Sequence, residues 1–234
     1  MSLCPFATHR LLPESETQPV IKPRAIILHS AAGRGSLYEF FRTGSNLESH
    51  FWVASNGKIE QYIDTQVRAD ANLNANGFAI SVETESSPQA TERWTPAQAE
   101  AIVRLVSWCC ETHGIPRQQI PTWDGAGIGW HIMFGSPGPW TPVAKSCPGP
   151  ARVAQARDEI IPAVAAGGAP TPQPPKDWFD MATEAELRKI IGEELDKRLD
   201  PDGKGNLLVR IRNSVAATEK RVVDLVTGAR PGKD

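Results

Sequence analysis

Residues 129–150, GWHIMFGSPGPWTPVAKSCPGP, place a histidine and a cysteine on either side of a segment rich in glycine and proline. This composition favours a loop over a helix or a continuous strand. His131 and Cys147 carry ligand atoms that suit zinc, and the segment between them is long enough to fold back and bring both to one ion. Lys145 stands two residues before the cysteine. Two ligands do not complete a site, so a third is expected elsewhere.

The third ligand is predicted at the end of a buried strand. The apolar run AIIL at 25–28 is typical of a strand covered on both faces, and His29 follows it directly. A loop of small residues comes next, so the strand delivers His29 to the edge of the sheet. A buried histidine bonded to the backbone is the alternative for such a residue taken singly. Together with His131 and Cys147, His29 predicts a catalytic zinc site with an open fourth position.

The composition is that of a soluble globular protein. The chain has 234 residues, 40% hydrophobic and 22% charged, so it can bury a sizeable core. The formal net charge is -2 and no cluster of Lys or Arg stands out, which argues against nucleic acid as a partner. No apolar stretch is long enough for a membrane span, and the first residues lack the features of a signal peptide. We therefore expect a cytoplasmic product without its own export signal.

The four cysteines are expected to be reduced. Cys109 and Cys110 are adjacent within a strong helical pattern, which does not suit the disulfide framework of a small scaffold. Together with a cytosolic start, this arrangement favours free thiols, and it favours core positions for these two cysteines.

The remaining hydrophobic pattern predicts an α/β domain over residues 1–163. Its elements are an irregular lead-in over 1–23, a short helix over 36–42, a hairpin over 50–63 that turns at Asn56-Gly57, a strand over 78–85, a long helix between Thr95 and Gly114, and a closing helix over 151–161. Thr95 is a suitable N-cap and Gly114 a suitable C-terminal stop. Alternation along 78–85 places Glu83 and Val82 on opposite faces.

Beyond this domain the composition changes. Residues 164–176 are rich in Ala, Gly and Pro and predict a linker. Residues 177–234 predict a helical region of two charged segments, and the second has apolar residues at heptad-like spacing. This pattern is compatible with self-association, and equally with a solvated amphipathic hairpin.

The residues near the predicted metal indicate a hydrolase. Zinc lowers the pKa of a bound water and polarises a scissile carbonyl. Amide hydrolysis also needs a base for the proton of that water and a positive charge beside the developing oxyanion. Glu83, at a strand end, is the candidate base, and Lys145 is the candidate cation. A cysteine peptidase that uses Cys147 and His131 is the competing interpretation, although no partner that would orient the pair is evident nearby.

Six motifs occur in the order that is typical of one enzyme family: AIILHSA, SHFWVASNGKIEQYID, GFAISVETE, WTPAQ, GWH and KSCPG. Over residues 24–162 the chain resembles the type 2 N-acetylmuramoyl-L-alanine amidases, which include phage lysins and share their fold with peptidoglycan recognition proteins. The resemblance implies a central mixed β-sheet flanked by helices, with zinc at the base of a peptidoglycan groove. It implies cleavage of the amide between N-acetylmuramic acid and the L-alanine of the stem peptide.

The resemblance also implies roles for individual residues. The two histidine ligands of the family match His29 and His131, and its third ligand, Asp or Cys, matches Cys147. The lysine two residues before that ligand matches Lys145. The glutamate of the family's Ile-Gly-Ile-Glu strand matches Glu83.

Other positions match the family less directly. Some members carry a catalytic tyrosine just before the His-Phe of the hairpin, where this chain has Ser49. This difference argues against a tyrosine-assisted mechanism and favours Glu83 as the catalytic group. His50 is expected to support the site rather than to bind the metal. Four residues are candidates to line the substrate groove, with core packing as the alternative for each tryptophan: Trp52, Asn72, Trp123 and Trp130.

A soluble amidase with a proline-rich linker and no signal peptide resembles a phage endolysin. Such an enzyme would stay in the host cytoplasm until lysis and then reach the cell wall, with peptidoglycan as its partner. The helical region would then form a homo-oligomer or dock the enzyme at the envelope. Two alternatives stay open: a non-catalytic peptidoglycan-binding module, although such members commonly lack the cysteine ligand, and an amidase that recycles soluble muropeptides.

Overall fold

The apolar run at 25–28 forms an inner strand of a mixed six-stranded sheet. The computed structural model describes residues 2–44 and 46–167. The strands, in chain order, are β1 (Thr8–His9), β2 (Ala25–Leu28), β3 (Phe51–Val53), β4 (Ile59–Gln61), β5 (Ala79–Thr84) and β6 (Gly127–Trp130). They are arranged as β1-β4-β3-β5-β2-β6, with β3 and β4 antiparallel and every other neighbouring pair parallel.

Helices flank this sheet, which confirms the predicted fold class. They are α1 (Glu14–Thr17), α2 (Tyr38–Arg42), a 3-10 turn (Leu73–Ala75), α3 (Pro96–His113), α4 (Pro150–Gln155), a π-helical turn (Ala156–Ile160) and α5 (Ile161–Ala165). The long helix has the predicted ends: the Thr95 side chain accepts the Gln98 N–H, and Gly114 closes the helix in the left-handed conformation. None of the helices in the described part of the chain has both the length and the apolarity of a membrane span.

The two faces of the sheet are covered differently. Ile26 and Leu28 of β2 join the main core cluster, to which α3 also contributes. Ala25 and Ile27 point to the other face and join a smaller cluster with Trp140. The alternation of a strand therefore places the residue after Leu28 on the face opposite to α3.

The hairpin forms as predicted at Asn56-Gly57. Gly57 has a φ of 85°, and a Cβ at this position would lie 2.8 Å from the Ala97 carbonyl oxygen. Glycine is therefore required both by the turn and by the approach of the first turn of α3. Cys109 and Cys110 are buried and free, as expected, and Cys4 is also buried and free.

The predictions for the two ends of the chain have different outcomes. Some need correction, and others concern residues that the structure does not describe. The lead-in over 1–23 is not wholly irregular, because it contains β1, which pairs with β4, and α1. These elements are too short for hydrophobic periodicity to reveal them. At the other end, α5 includes the first two residues that composition assigned to the linker. The rest of that linker from 168 onward, and the helical region 177–234, lie outside the described residues.

Candidate metal centre and active site

The two predicted histidine ligands lie side by side because their strands are neighbours. β2 and β6 are parallel and pair Leu28 with Trp130, and a histidine follows each of these residues. The pairing extends one step further, since the His131 N–H donates to the Leu28 carbonyl at 3.2 Å. The ring centroids of His29 and His131 are 4.4 Å apart. Strand register thus brings together two residues that are distant in sequence.

Cys147 completes the cluster from the loop before α4. Its Sγ lies 3.7 Å from His29 Nδ1 and accepts the Ser30 N–H at 3.1 Å. Ligand atoms of His29, His131 and Cys147 all lie within 4.8 Å of one another. Gly149 lets the loop pack this closely, because its φ is 94° and a Cβ there would collide with the Ala90 carbonyl oxygen.

The free polar atoms of this cluster fit a zinc ion. His29 Nε2 is 2.8 Å from Asn72 Oδ1, so His29 Nδ1 is left facing the Cys147 sulfur. His131 Nε2 is buried and has no hydrogen-bond partner among the described residues. Burying a nitrogen without a hydrogen-bond partner costs free energy, so this atom is expected to bind a ligand. Two imidazole nitrogens and one sulfur are the donor set of a catalytic zinc with one position open.

Burial keeps both histidines in the neutral form that binds metal. Desolvation lowers the pKa of His29 well below its usual value, and the neighbouring His131 lowers it further. Desolvation, with the charge of Lys145, lowers the pKa of His131 to about 4. At neutral pH both rings are therefore neutral, and each has one nitrogen lone pair that can bind a metal ion.

The Cys147 thiol is not activated as a nucleophile. Desolvation raises its pKa to about 12, and the nearby Glu83 carboxylate contributes in the same direction. A reactive cysteine requires a lowered pKa, since the thiolate is the nucleophile. This environment disfavours the cysteine peptidase, whereas a divalent cation would displace the thiol proton directly.

Glu83 lies where the sequence predicted the base. β5 and β2 pair Val82 with Leu28, so Glu83 is the neighbour of His29 on the same face. Its Oε1 is 3.7 Å from His29 Nδ1, and its Oε2 is buried without a partner among the described residues. Desolvation raises the pKa of Glu83 to about 8, opposed by the charges of Arg152 and Lys145. A carboxyl group that titrates near neutrality suits proton transfer.

Lys145 is exposed on the loop that carries Cys147. Its backbone N–H donates to Ser136 Oγ at 2.5 Å, which ties the two ends of that loop together. Its charge lowers the pKa of His29, of His131 and of Glu83. The predicted cation therefore acts on the centre electrostatically from its rim.

Arg152 is a second cation at the site, and sequence reasoning missed it. Its side chain in α4 is 1% exposed and donates to Thr84 Oγ1 at 2.9 Å and to the Glu85 carbonyl at 2.9 Å. The Thr84 hydroxyl donates in turn to the His29 carbonyl at 2.5 Å. Arg152 therefore links the helix that follows Cys147 to the strand ends that carry Glu83 and His29.

Three of the four residues predicted to line the substrate groove are buried. Trp130 is 9% exposed and packs in the main core, because alternation places it on the face opposite to His131. Trp52 pairs with Glu83 but is 4% exposed in a cluster with Phe41 of α2. Both tryptophans therefore pack in the core, which was the alternative to a place in the substrate groove. Trp123, 54% exposed, remains available for a substrate.

Asn72 is also wrong as a substrate-binding residue. Its side chain is fully buried, and both ends of its amide are engaged, with His29 Nε2 and with the Ala79 carbonyl. No polar atom of the amide is left for a substrate.

The two residues at the start of the hairpin do not bind a metal. His50 Nδ1 accepts the Ser81 N–H at 3.0 Å, and its Nε2 donates to the Val67 carbonyl at 2.8 Å. Both ring nitrogens are occupied, so neither is free for a metal, in agreement with the expectation that His50 is not a ligand. Ser49 is buried and donates to the Phe51 carbonyl at 2.9 Å. Its hydroxyl therefore does not replace the tyrosine that some related enzymes carry there.

Known proteins resemble this chain in fold, and one family matches its sequence. No curated protein matches the sequence. The PlyG catalytic domain has a similar fold, with a TM-score of 0.51 and 19% identity, covering 72% of this chain and 98% of that one. The N-acetylmuramoyl-L-alanine amidase LysC from Clostridium intestinale URNW has a TM-score of 0.47 and 16% identity, covering 64% and 92%. The model of one family matches residues 19–150, more than half of the chain, and the protein therefore belongs to the N-acetylmuramoyl-L-alanine amidases.

Proposed function

We propose that this protein is a zinc-dependent hydrolase of the amide between N-acetylmuramic acid and L-alanine in peptidoglycan. One observation carries the proposal: His29, His131 and Cys147 converge on one face of the sheet, with the partly buried carboxyl group of Glu83 beside His29. Membership of the amidase family supports the reaction, and the unpartnered His131 nitrogen supports the metal.

His29 Nδ1, His131 Nε2 and Cys147 Sγ would hold the zinc. When bound, zinc supplies a Lewis acid that polarises the scissile carbonyl and makes a water more acidic. Glu83 takes the proton of the attacking water and delivers it to the leaving amine of L-alanine. The 3.7 Å between its Oε1 and His29 Nδ1, the nitrogen that would bind the metal, supports this role.

Lys145 supplies positive charge where the carbonyl oxygen becomes an oxyanion. We expect Lys145→Met to bind zinc normally and to lose about 10²-fold in kcat, because removing one oxyanion partner has an effect of that order. Zinc content and initial rates on purified sacculi measure the two quantities. Lys58→Met is the matched control, since this lysine pairs with Glu60 on the hairpin. Equal losses in both variants contradict the assignment.

The reaction is tested by the products that it releases. Purified sacculi treated with the enzyme should lose turbidity and gain L-alanine amino termini without new reducing sugars. Chelation should stop the reaction and added zinc should restore it. Binding without release identifies a non-catalytic module, and release that resists chelation but not thiol alkylation identifies a cysteine peptidase. Faster release from soluble fragments than from intact sacculi identifies a recycling enzyme.

We propose further that the enzyme acts in phage-induced lysis, from the host cytoplasm onto the cell wall. The resemblance to phage lysins supports this role. The heptad-like spacing at the C-terminus supports self-association or docking at the envelope for residues 177–234. Deleting these residues should therefore lower the number of chains per particle, measured by light scattering, or the affinity for sacculi, measured by pelleting. An unchanged number of chains together with unchanged affinity contradicts this role.

A further inference from the structure

We propose that Asn72 is a positioning residue that selects and aims the metal-binding nitrogen of His29. The inference rests on the proposed zinc-dependent function and adds to it a residue outside the ligand set. Asn72 is 43 positions away from His29 in sequence and is completely buried beside it.

The hydrogen bonds of Asn72 determine which nitrogen of His29 carries the hydrogen. Asn72 Nδ2 lies 3.2 Å from the Ala79 carbonyl oxygen, which only accepts, so the amide must present its NH₂ there. Asn72 Oδ1 consequently faces His29 Nε2 at 2.8 Å and accepts from it. In a neutral imidazole the other nitrogen, Nδ1, is then bare, and it is the nitrogen that faces Cys147 Sγ.

Asn72 is itself held rigidly by its own segment. Its backbone N–H donates to Asn76 Oδ1 at 2.7 Å, and its carbonyl accepts the Ala75 N–H at 3.0 Å as the 3-10 turn begins. The Asn76 amide donates to Asp70 Oδ1 at 3.0 Å. The acceptor for His29 is therefore in place before any metal arrives. His131 differs, because its Nε2 has no partner among the described residues.

The consequence is a pre-oriented ligand. Without the acceptor, the His29 ring is free to turn over, or to carry its hydrogen on Nδ1, and either change removes the lone pair that a metal needs. Groups that accept from the far nitrogen of a metal-binding histidine typically alter metal affinity by about 10–100-fold when they are removed. We expect Asn72 to act on zinc affinity by that factor.

A purely structural role is the alternative, in which Asn72 matters only because it ties its turn to Ala79 of β5. Two substitutions separate the roles. Asn72→Leu removes both polar groups of the amide and keeps a side chain of similar size. Asn72→Asp keeps an oxygen facing His29 but loses the donor to Ala79. Asn74→Leu is the matched control, because Asn74 lies in the same turn and its side-chain amide donates to the Pro139 carbonyl at 3.0 Å and not to His29.

The experiment measures the zinc dissociation constant of the full chain by competition with a chromophoric chelator. We expect Asn72→Leu to bind zinc about 10–100-fold more weakly, and Asn72→Asp and Asn74→Leu to bind within about threefold of wild type. Wild-type affinity in Asn72→Leu, or equal weakening in Asn72→Asp and Asn72→Leu, overturns the proposal. If Asn72→Leu does not fold, Asn72→Ala gives the same comparison.

Imidazole ¹⁵N NMR of the zinc-free protein provides a second readout that is independent of metal. Wild type should show His29 in the Nε2–H form, and Asn72→Leu should show a mixture of the two forms. An unchanged spectrum in Asn72→Leu overturns the selection of the nitrogen by Asn72. Wild-type protein that binds no zinc refutes the proposed function, and with it the role of Asn72 in metal binding, even where the NMR result stands.

Discussion

Cys147→Ser and His29→Ala are expected to lose zinc and to lower kcat/KM on peptidoglycan by about 10³-fold or more, since the metal contributes several kcal/mol to transition-state stabilisation. Each substitution leaves two of the three ligands, and a hydroxyl or a methyl group cannot replace a thiolate or an imidazole on zinc. The measurements are zinc content after dialysis and the rate of L-alanine amino-terminus release from sacculi.

His9→Ala is the matched control for this loss. His9 is exposed and bonds to the Cys4 carbonyl at the far edge of the sheet, so this variant should keep its zinc and its rate. Circular dichroism of all three variants separates loss of metal from loss of fold. Cys147→Ser that retains one zinc per chain and full activity is incompatible with the proposed centre.

Glu83→Gln is expected to keep zinc and to lower kcat by about 10²–10⁴-fold, the range for removal of a general base. Glutamine has nearly the same shape but takes no proton. The pH dependence gives a second signature, because the base works only when ionised and the rate must rise with pH through its pKa. Burial raises the pKa of Glu83 to about 8 without metal. A bound cation lowers it, so the rising limb in the zinc enzyme should lie below pH 8.

Glu85→Gln is the matched control for Glu83. Both residues are acids near the end of β5, but the Glu85 carboxylate accepts from the backbone N–H groups of Ser55 and Gly35, away from the ligands. This variant should keep both its rate and its pH profile. The rising limb should disappear in Glu83→Gln alone. A Glu83→Gln enzyme with wild-type kcat, or with the limb unchanged, would show that another group takes the proton.

Strand periodicity and loop composition were sufficient to predict residues that the fold brings together, the three candidate ligands and the candidate base. His29 follows an apolar run, and the alternation of side chains along its strand determines which face of the sheet Glu83 points to. The same alternation already indicated that Trp130 and His131 face opposite sides, a signal that the prediction of a groove tryptophan overlooked. Chemistry that depends on residue type and position along one strand is therefore readable from the sequence.

Residues whose role depends on contacts between distant segments were not predictable in this way. An arginine in a short helix, such as Arg152, is ordinarily solvated, and only the packing of α4 against β5 buries it at 1% exposure. Trp52 lies on the same face of the sheet as Glu83, but α2 packs over it and makes it part of the core. Asn72 has the polarity of a substrate-binding residue, and its partner His29 is brought to it by the fold alone.

The sequence by itself determined the fold class and the candidates for the three ligands and the base, because hydrophobic period and residue chemistry are local properties of the chain. The tertiary structure decided which atoms converge, because the register of β2 against β6 and β5 places His29 beside His131 and Glu83. It also decided that the amide of Asn72 faces His29 and that Arg152 is buried. Hydrogen bonds between segments far apart in sequence exist only once those segments are packed.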